Sequence, residues 1–380
     1  MKPIVALSIL TLALSGLSFG QAPDIRSPDI DTGSPGGQIL ASAGMADTPE
    51  AKIQSLEQFL SEFPDDPLKG YVYFQLQGAY ADTEQWDKAI DVGKKLIEIA
   101  PNDVEVRHKL NDALVKAARY DDLPPLLEAT RPIAEEAVAA PKAEDEDDAT
   151  YAYRKEYAEG VVQWLEWATN TAMSQQTDPL KQVEWMDRLR EWYPDGAYSQ
   201  GLAVRYVTAY QQAGDQAKMY EWMEKAVESG EAGEEYLYAL AEQAYTEDRE
   251  KSRAYAEQIL ERLETQGDTP REGMTPEQWT AHKTKYEAYG NFVVGRTYVA
   301  ANTKDAYRTG RSYLLQSVDF LKEEGGQRYH LLAYFLGVCY VQLDIQGDNI
   351  AKATYWMREA ANTDGPFKGQ AAEALKKIGG

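Results

Sequence analysis

Three histidines, one cysteine and 62 carboxylates are the side chains from which this 380-residue chain would have to build a reactive centre. His108, His282 and His330 lie far apart. None stands in an HExxH pattern or has a second histidine at helical spacing, so the arrangement that ligates a catalytic zinc is missing. The glycine signatures of a serine elbow, a dinucleotide fold or a phosphate loop do not occur. The glycines of GSPGG (33–37) read as part of a flexible tail, with no strand before them and no helix after. Glycoside hydrolysis needs two carboxyl groups in contrasting environments, and nothing isolates such a pair. Cys339, in LGVCYVQL, has no partner for an intramolecular disulfide and reads as a small core hydrophobe. These residues predict no enzyme, no cofactor and no metal.

Aromatic stacking is the second chemistry on offer, since the chain has 25 Tyr and 8 Trp. Rings such as Trp164, Trp167, Trp185, Trp192 and Trp222 could stack on sugars or clamp a peptide. Their spacings of three and seven are also those of a helix core, so most are expected to pack. Trp164 and Trp167 stay open. A net charge of −23 repels phosphate backbones and anionic lipid, so no nucleic-acid partner is expected.

The elements that must carry these side chains are helices, because strict alternation with β-branched residues is absent throughout. In the segment from Gly70, large residues recur at Tyr73, Leu76 and Tyr80, a small one follows at Ala89, and Pro101 ends the pattern. Thirty-four residues on, Leu110, Leu114, Tyr120 and Leu123 repeat part of it. A longer echo relates 48–66 to 178–196, pairing Ile53 with Val183, Leu56 with Met186, Phe59 with Leu189 and Pro64 with Pro194. The register continues ungapped to Tyr80/Tyr210 and Leu110/Leu240, which points to duplication of a multi-helix block. The theme returns in 291–318 (Val294, Gly295, Tyr298) and in 335–361 (Leu336, Gly337, Tyr340, then Ala353, Met357 and Ala360 after about four extra turn residues).

The spacing resembles the tetratricopeptide repeat (TPR), a 34-residue helix–turn–helix unit. With Gly70 as position 1, the chain departs from that pattern at position 8, where Gln77 stands for a small residue. It departs again at position 24, where Gly93 stands for a large one. The resemblance implies an all-α fold, an α-solenoid of TPR and TPR-like hairpins wound as a right-handed superhelix. It divides the chain into an N-terminal block (48–130), a second TPR-like block (151–265) duplicating the first, and a C-terminal block (275–380) closed by a capping helix at 371–378. Between the first two lies an acidic linker (131–150) ending in five consecutive acids, Glu144–Asp148, read as solvated chain rather than a calcium site.

The compartment is read from MKPIVALSILTLALSGLSFG. A lysine, an apolar run too short to cross a bilayer and small residues before Gln21 form a signal peptide (1–20). A flexible linker (21–47) would follow. The chain is expected to be exported and not membrane-spanning, with the periplasm as its destination and full secretion as the alternative.

In TPR proteins the first helices line a concave groove through positions 2, 5, 9, 12 and 13. Carried over, these give Tyr71, Phe74, Gly78, Ala81 and Asp82, and then Glu105, His108, Asp112, Val115 and Lys116. The duplicated block gives Thr208, Gln211 and Gln212, and the next unit Glu235, Tyr238, Glu242 and Tyr245. The basic and amide clamp that the family uses for acidic peptide tails is absent from this set. The resemblance therefore implies a non-catalytic scaffold holding a protein or peptide partner in its groove, in envelope assembly or maintenance. No small-molecule ligand is expected. The competing reading is an aromatic-lined glycan-binding module on the same scaffold.

Overall fold

A computed structural model describes residues 25–343 and 348–379. The predicted signal peptide lies outside the described residues, as do positions 344–347 in the longer turn expected before the last repeat helix. The described residues form eighteen α-helices and one 3-10 turn, with no strand. The fold is an all-α solenoid of helical hairpins. It divides into two compact units, the first running to Thr177 and including Glu184–Ser199, the second holding Asp178–Val183 and the residues from Gln200 onward.

The first unit begins with α1 (Pro35–Gly44), α2 (Pro49–Glu62), α3 (Lys69–Asp82) and α4 (Trp86–Ile99), and continues with α5 (Val104–Lys116), α6 (Pro124–Ala139) and α7 (Asp148–Gln175). Local chemistry sets the starts. Ser34, Thr48, Asp103 and Asp147 each cap a helix by accepting from its free first-turn N–H groups, and Pro35, Pro49 and Pro124 occupy opening positions where no donor is lost. Consecutive helices pack against one another, and α3–α5 and α5–α7 also touch, so the alternate helices share a face. Leu56, Phe59, Leu76, Ile90, Leu96, Leu110 and Leu114 form fully buried contacts along this stack.

Two expected linkers are corrected. Within 21–47, the glycines at 36 and 37 open α1 and are buried beside Phe59 and the turn at Asp31. Ahead of α1, Ile25 is buried against Leu96, Ala100 and Val106. The Arg26 guanidinium pairs with Asp103 at 2.7 Å and Glu105 at 3.0 Å. The segment is a strap, held by one apolar plug and one charged fork. In the supposed acidic linker, α6 continues to Ala139 because Leu127, Thr130 and Ala134 keep one buried face running through Pro132. In the acidic run itself Glu144 and Asp145 stand exposed, as a solvated chain would have them, while the next three acids are engaged. Asp147 caps α7, Glu146 accepts from Arg154, and Asp148 pairs with Lys142. Carboxylates gather there because a helix start is electropositive.

α8 (Pro179–Trp192) contributes residues to both units. The second unit continues with α9 (Leu202–Ala213), α10 (Gln216–Glu228), α11 (Glu234–Ala244), α12 (Arg249–Gln266) and α13 (Pro276–Val299). It is completed by α14 (Lys304–Gln316), α15 (Val318–Glu324), α16 (Gly326–Leu343), α17 (Asp348–Asn362) and α18 (Lys368–Ile378). The echo read from the sequence is visible as structure. α8 begins at Pro179, α10 at Gln216 and α11 at Glu234, each 130 residues after the start of α2, α4 and α5. Here too alternate helices touch, α11 with α13 and α13 with α16. Cys339 is fully buried in α16, and burial pushes its thiol up to about 12, as a core hydrophobe requires.

The two departures from the repeat pattern explain each other. Gln77 on α3 is fully buried and lies over Gly93 on α4, where an added Cβ would sit 2.6 Å from the Gln77 amide and 3.1 Å from Leu110. The large and small residues have exchanged helices, and the slot between them keeps its volume. In the last hairpin the usual order holds, with Gly337 fitted against Met357. In the hairpin before it, Gly295 and Gly310 meet backbone to backbone, an added Cβ at either falling within 2.9 Å of the other's carbonyl oxygen, so the segment with the looser sequence match is closely packed.

Burial also places one charge cluster at the entry of α11. The Glu234 carboxylate is inaccessible to solvent, accepts a fork from Arg271 and bonds His282 Nε2 at 2.9 Å. Burial alone would raise its pKa, but the hydrogen bonds from Arg271 and His282 overrule it and hold the group at about 2.

Two outcomes follow. Gly93→Ala gains about 1 kcal/mol of helix propensity but overpacks the slot by about 1–3 kcal/mol, so urea denaturation should show net destabilisation. Gln77→Ala in that background should recover most of the loss, whereas purely additive effects would refute the exchange. For Glu234, the depressed pKa means that its stabilisation is complete above pH 4.5 and is lost as pH falls toward 2. Glu234→Gln should flatten the acid limb of a stability–pH profile over that window, and an unchanged limb would refute the assignment.

Candidate functional site

The first unit presents its groove positions along the face shared by α3, α5 and α7. Gly78, Ala81 and Asp82 of α3 and His108 and Asp112 of α5 surround a cavity of about 320 Å³ together with Trp86 of α4 and Tyr157 of α7. Five of the predicted positions therefore converge. Phe74 is half-buried, because the Arg26 guanidinium and the Lys109 ammonium cover its ring at 5.2 and 4.2 Å. Tyr71 is half-buried on α3 and does not line this cavity. Val115 is a correction: it is buried, since its place on α5 turns it into the core, while Lys116 beside it is exposed. Glu105 accepts from Arg26 and Lys109 and lines a second cavity of about 420 Å³ with Asp103, Tyr153, Arg154 and Tyr157.

The opposing wall comes from α7, which matches no repeat. Tyr153, Tyr157, Trp164 and Trp167 recur at helical spacing on it, and their rings make a continuous chain with His108. His108 Nδ1 bonds the Tyr157 hydroxyl at 2.8 Å, and its ring meets Trp164 edge-on at 4.7 Å. Burial holds its pKa below the usual histidine value although Asp112 pulls the other way. Tyr153 and Trp167 remain exposed, at 63% and 37%. Trp185 and Trp222 are buried, as core spacing predicted, and Trp192 packs edge-on against Tyr193. The signal that could have found this wall was the periodic aromatic stripe of 153–167, read without reference to a repeat template.

The second unit gathers a different cluster. Tyr238 of α11 stacks on Tyr289 of α13 at 4.5 Å, and its hydroxyl bonds Arg328 Nε of α16 at 2.8 Å. Burial pushes that hydroxyl up to about 12. Glu242 accepts from Arg296, whose guanidinium lies 3.9 Å over the Tyr245 ring. Glu235 is exposed. Thr208, Gln211 and Gln212 stand exposed on α9, outside this cluster, with the Thr208 hydroxyl donating to the Val204 carbonyl. Arginine does enter this face, but Glu242 and Glu324 neutralise it, so no free basic clamp results. Tyr289 and Arg296 were legible: with Val294 at position 7, they are positions 2 and 9 of their unit.

No protein-family model matches the chain, and no curated protein matches it. Among solved structures, the crystal structure of yeast Tom70 is 12% identical, with 90% of this chain and 86% of that chain covered, at a TM-score of 0.25. The P58(IPK) TPR domain is likewise 12% identical, with 90% and 95% covered, at 0.23. Superpositions this loose carry no argument about function, and the fold rests on the helices described above.

The chemistry of His108 gives a check on the site. A histidine kept neutral by burial is unaffected above about pH 6.5, and protonation costs stability as pH falls below that value. His108→Gln should therefore reduce the stability loss of the protein between neutral and mildly acid pH, measured by urea midpoints. An identical pH dependence in the variant would refute burial of the ring.

Proposed function

We propose that this protein is a non-catalytic, exported scaffold that holds an extended segment of a protein partner along the α3–α5–α7 face, in assembly or maintenance of the cell envelope. The single observation that carries the reading is the convergence of Gly78, Ala81, Asp82, His108 and Asp112 with the aromatic wall of α7 around one preformed cavity. A rigid helical wall offers such a segment binding surface at small ordering cost. Among the described residues, Glu57, Asp103, Glu221, Glu224 and Glu234 are held below the ordinary carboxylate range by hydrogen bonds or ion pairs. A general acid at neutral pH requires the opposite shift. Export rests on the pattern of the first twenty residues, and no described helix is long and apolar enough to cross a membrane.

A glycan-binding module is the second reading, favoured by the exposed Tyr153 and Trp167 rings. The ring contacts that join Trp164 to Trp167 do not extend to Trp192, so the three do not form a single aromatic platform. A photo-crosslinking residue at position 153 in the full chain, expressed in its native cell, discriminates the two. The scaffold reading expects a discrete protein adduct, identified by mass spectrometry and reduced by Asp112→Lys. Quenching of tryptophan fluorescence by soluble oligosaccharide, lost in Trp167→Ala and with no protein adduct, would replace it with the glycan reading.

A further inference from the structure

The cavity between α3, α5 and α7 contains polar groups that the protein leaves unbonded. Gln77 lines it, is 1% exposed, and neither its amide nitrogen nor its amide oxygen has a hydrogen-bond partner. His108 Nε2 is also buried without a partner, its other nitrogen being taken by the Tyr157 hydroxyl. Buried amide and imidazole groups are nearly always hydrogen-bonded in folded proteins, so two unbonded groups on one cavity are destabilising unless a bound group completes them. The charge at the cavity has a definite sign. Asp82 and Asp112 line it without an ion pair among the described residues, while the one lining cation, Lys109, is held at 2.8 Å by Glu105 and lies over Phe74. The rings of Trp86 and Tyr157 complete the wall, and aromatic rings attract cations.

We propose that this cavity is a subsite for a basic side chain, the ammonium of lysine or the guanidinium of arginine, carried by the partner segment. The assignment rests on the scaffold reading above and names the chemistry of its partner. The incoming cation donates to the Gln77 carbonyl oxygen and to His108 Nε2, with the proton of His108 on Nδ1 facing Tyr157, and Asp82 and Asp112 balance its charge. This is the reverse of a basic clamp for acidic tails, and it suits a chain whose net charge is −23.

The test uses the full chain with 15N-labelled histidine and three probes: Nα-acetyl-lysine methylamide, Nα-acetyl-arginine methylamide and the uncharged Nα-acetyl-norleucine methylamide. The lysine or arginine probe should shift the His108 ring nitrogens and Trp86 emission saturably, and the norleucine probe should not. Which of the two basic probes binds more tightly identifies the preferred cation. Asp82→Asn with Asp112→Asn should weaken binding about tenfold or more, the scale of a lost charge-assisted bond. The His330 resonances, from a histidine buried in α16, report that the fold is intact. Equal response to norleucine, no His108 response to either cation, or unchanged affinity in the double variant would overturn the proposal. Crosslinking from position 153 reads the broader scaffold separately. A protein adduct with no cation response sinks the subsite alone, and a cation response with no adduct sinks the scaffold alone.

Discussion

Close approach of paired helices at a fixed local volume is the constraint on which the rest of this structure depends. Each hairpin must seat one bulky group in a gap that the facing helix leaves open, because a void or an overlap in so tight a contact costs kilocalories. The chain meets that requirement in several ways. Gln77 fills the space above Gly93, Met357 fills the space beside Gly337, and Gly295 and Gly310 close the gap by bringing backbones together. What is preserved is the volume of the pair, whichever helix supplies it. Once each hairpin is set, its alternate helices come into contact, and a continuous face appears on α3, α5 and α7 and another on α11, α13 and α16.

Charge follows from this geometry. The chain is strongly acidic, yet its arginines are drawn to places where carboxylates are partly dehydrated: Arg26 to Asp103 and Glu105, Arg271 to Glu234, Arg296 to Glu242. Removing a partner from such a pair strands a buried charge, which is why these contacts fix positions rather than merely decorate a surface. Their consequence for the groove is subtractive. Cations that sit close to it are already neutralised, and the carboxylates of Asp82 and Asp112 are left to set its polarity.

The strap at Ile25–Arg26 and the helix α7 show why some of the site was not legible from the sequence. Both lie in segments without repeat character, one in a Pro- and Gly-rich stretch and one in a 28-residue helix. A plug such as Ile25 gives no periodic signal, since one apolar residue beside one arginine is common in exposed chain; only its contact with Leu96, Ala100 and Val106 makes it structural. The aromatic stripe of α7 was visible as spacing, but the helix it would face was not. Phe74, expected to be open in the groove, is covered because Arg26 and Lys109 reach it from other elements.

Local rules acting within one turn or one hairpin were written in the sequence by itself: the helical class, the 130-residue echo and the burial of Cys339, to which the repeat resemblance added the placing of Gly78, Asp82, His108 and Asp112 on one side. Those rules depend on residue type and period, which a sequence carries directly. Tertiary structure alone decided the exchange of Gln77 and Gly93, the pairing of Arg26 with a helix start 77 residues away, and the meeting of His108 with Tyr157 and Trp164. Each of these joins side chains whose proximity is fixed by how rigid helices stack, and no period along the chain encodes that distance.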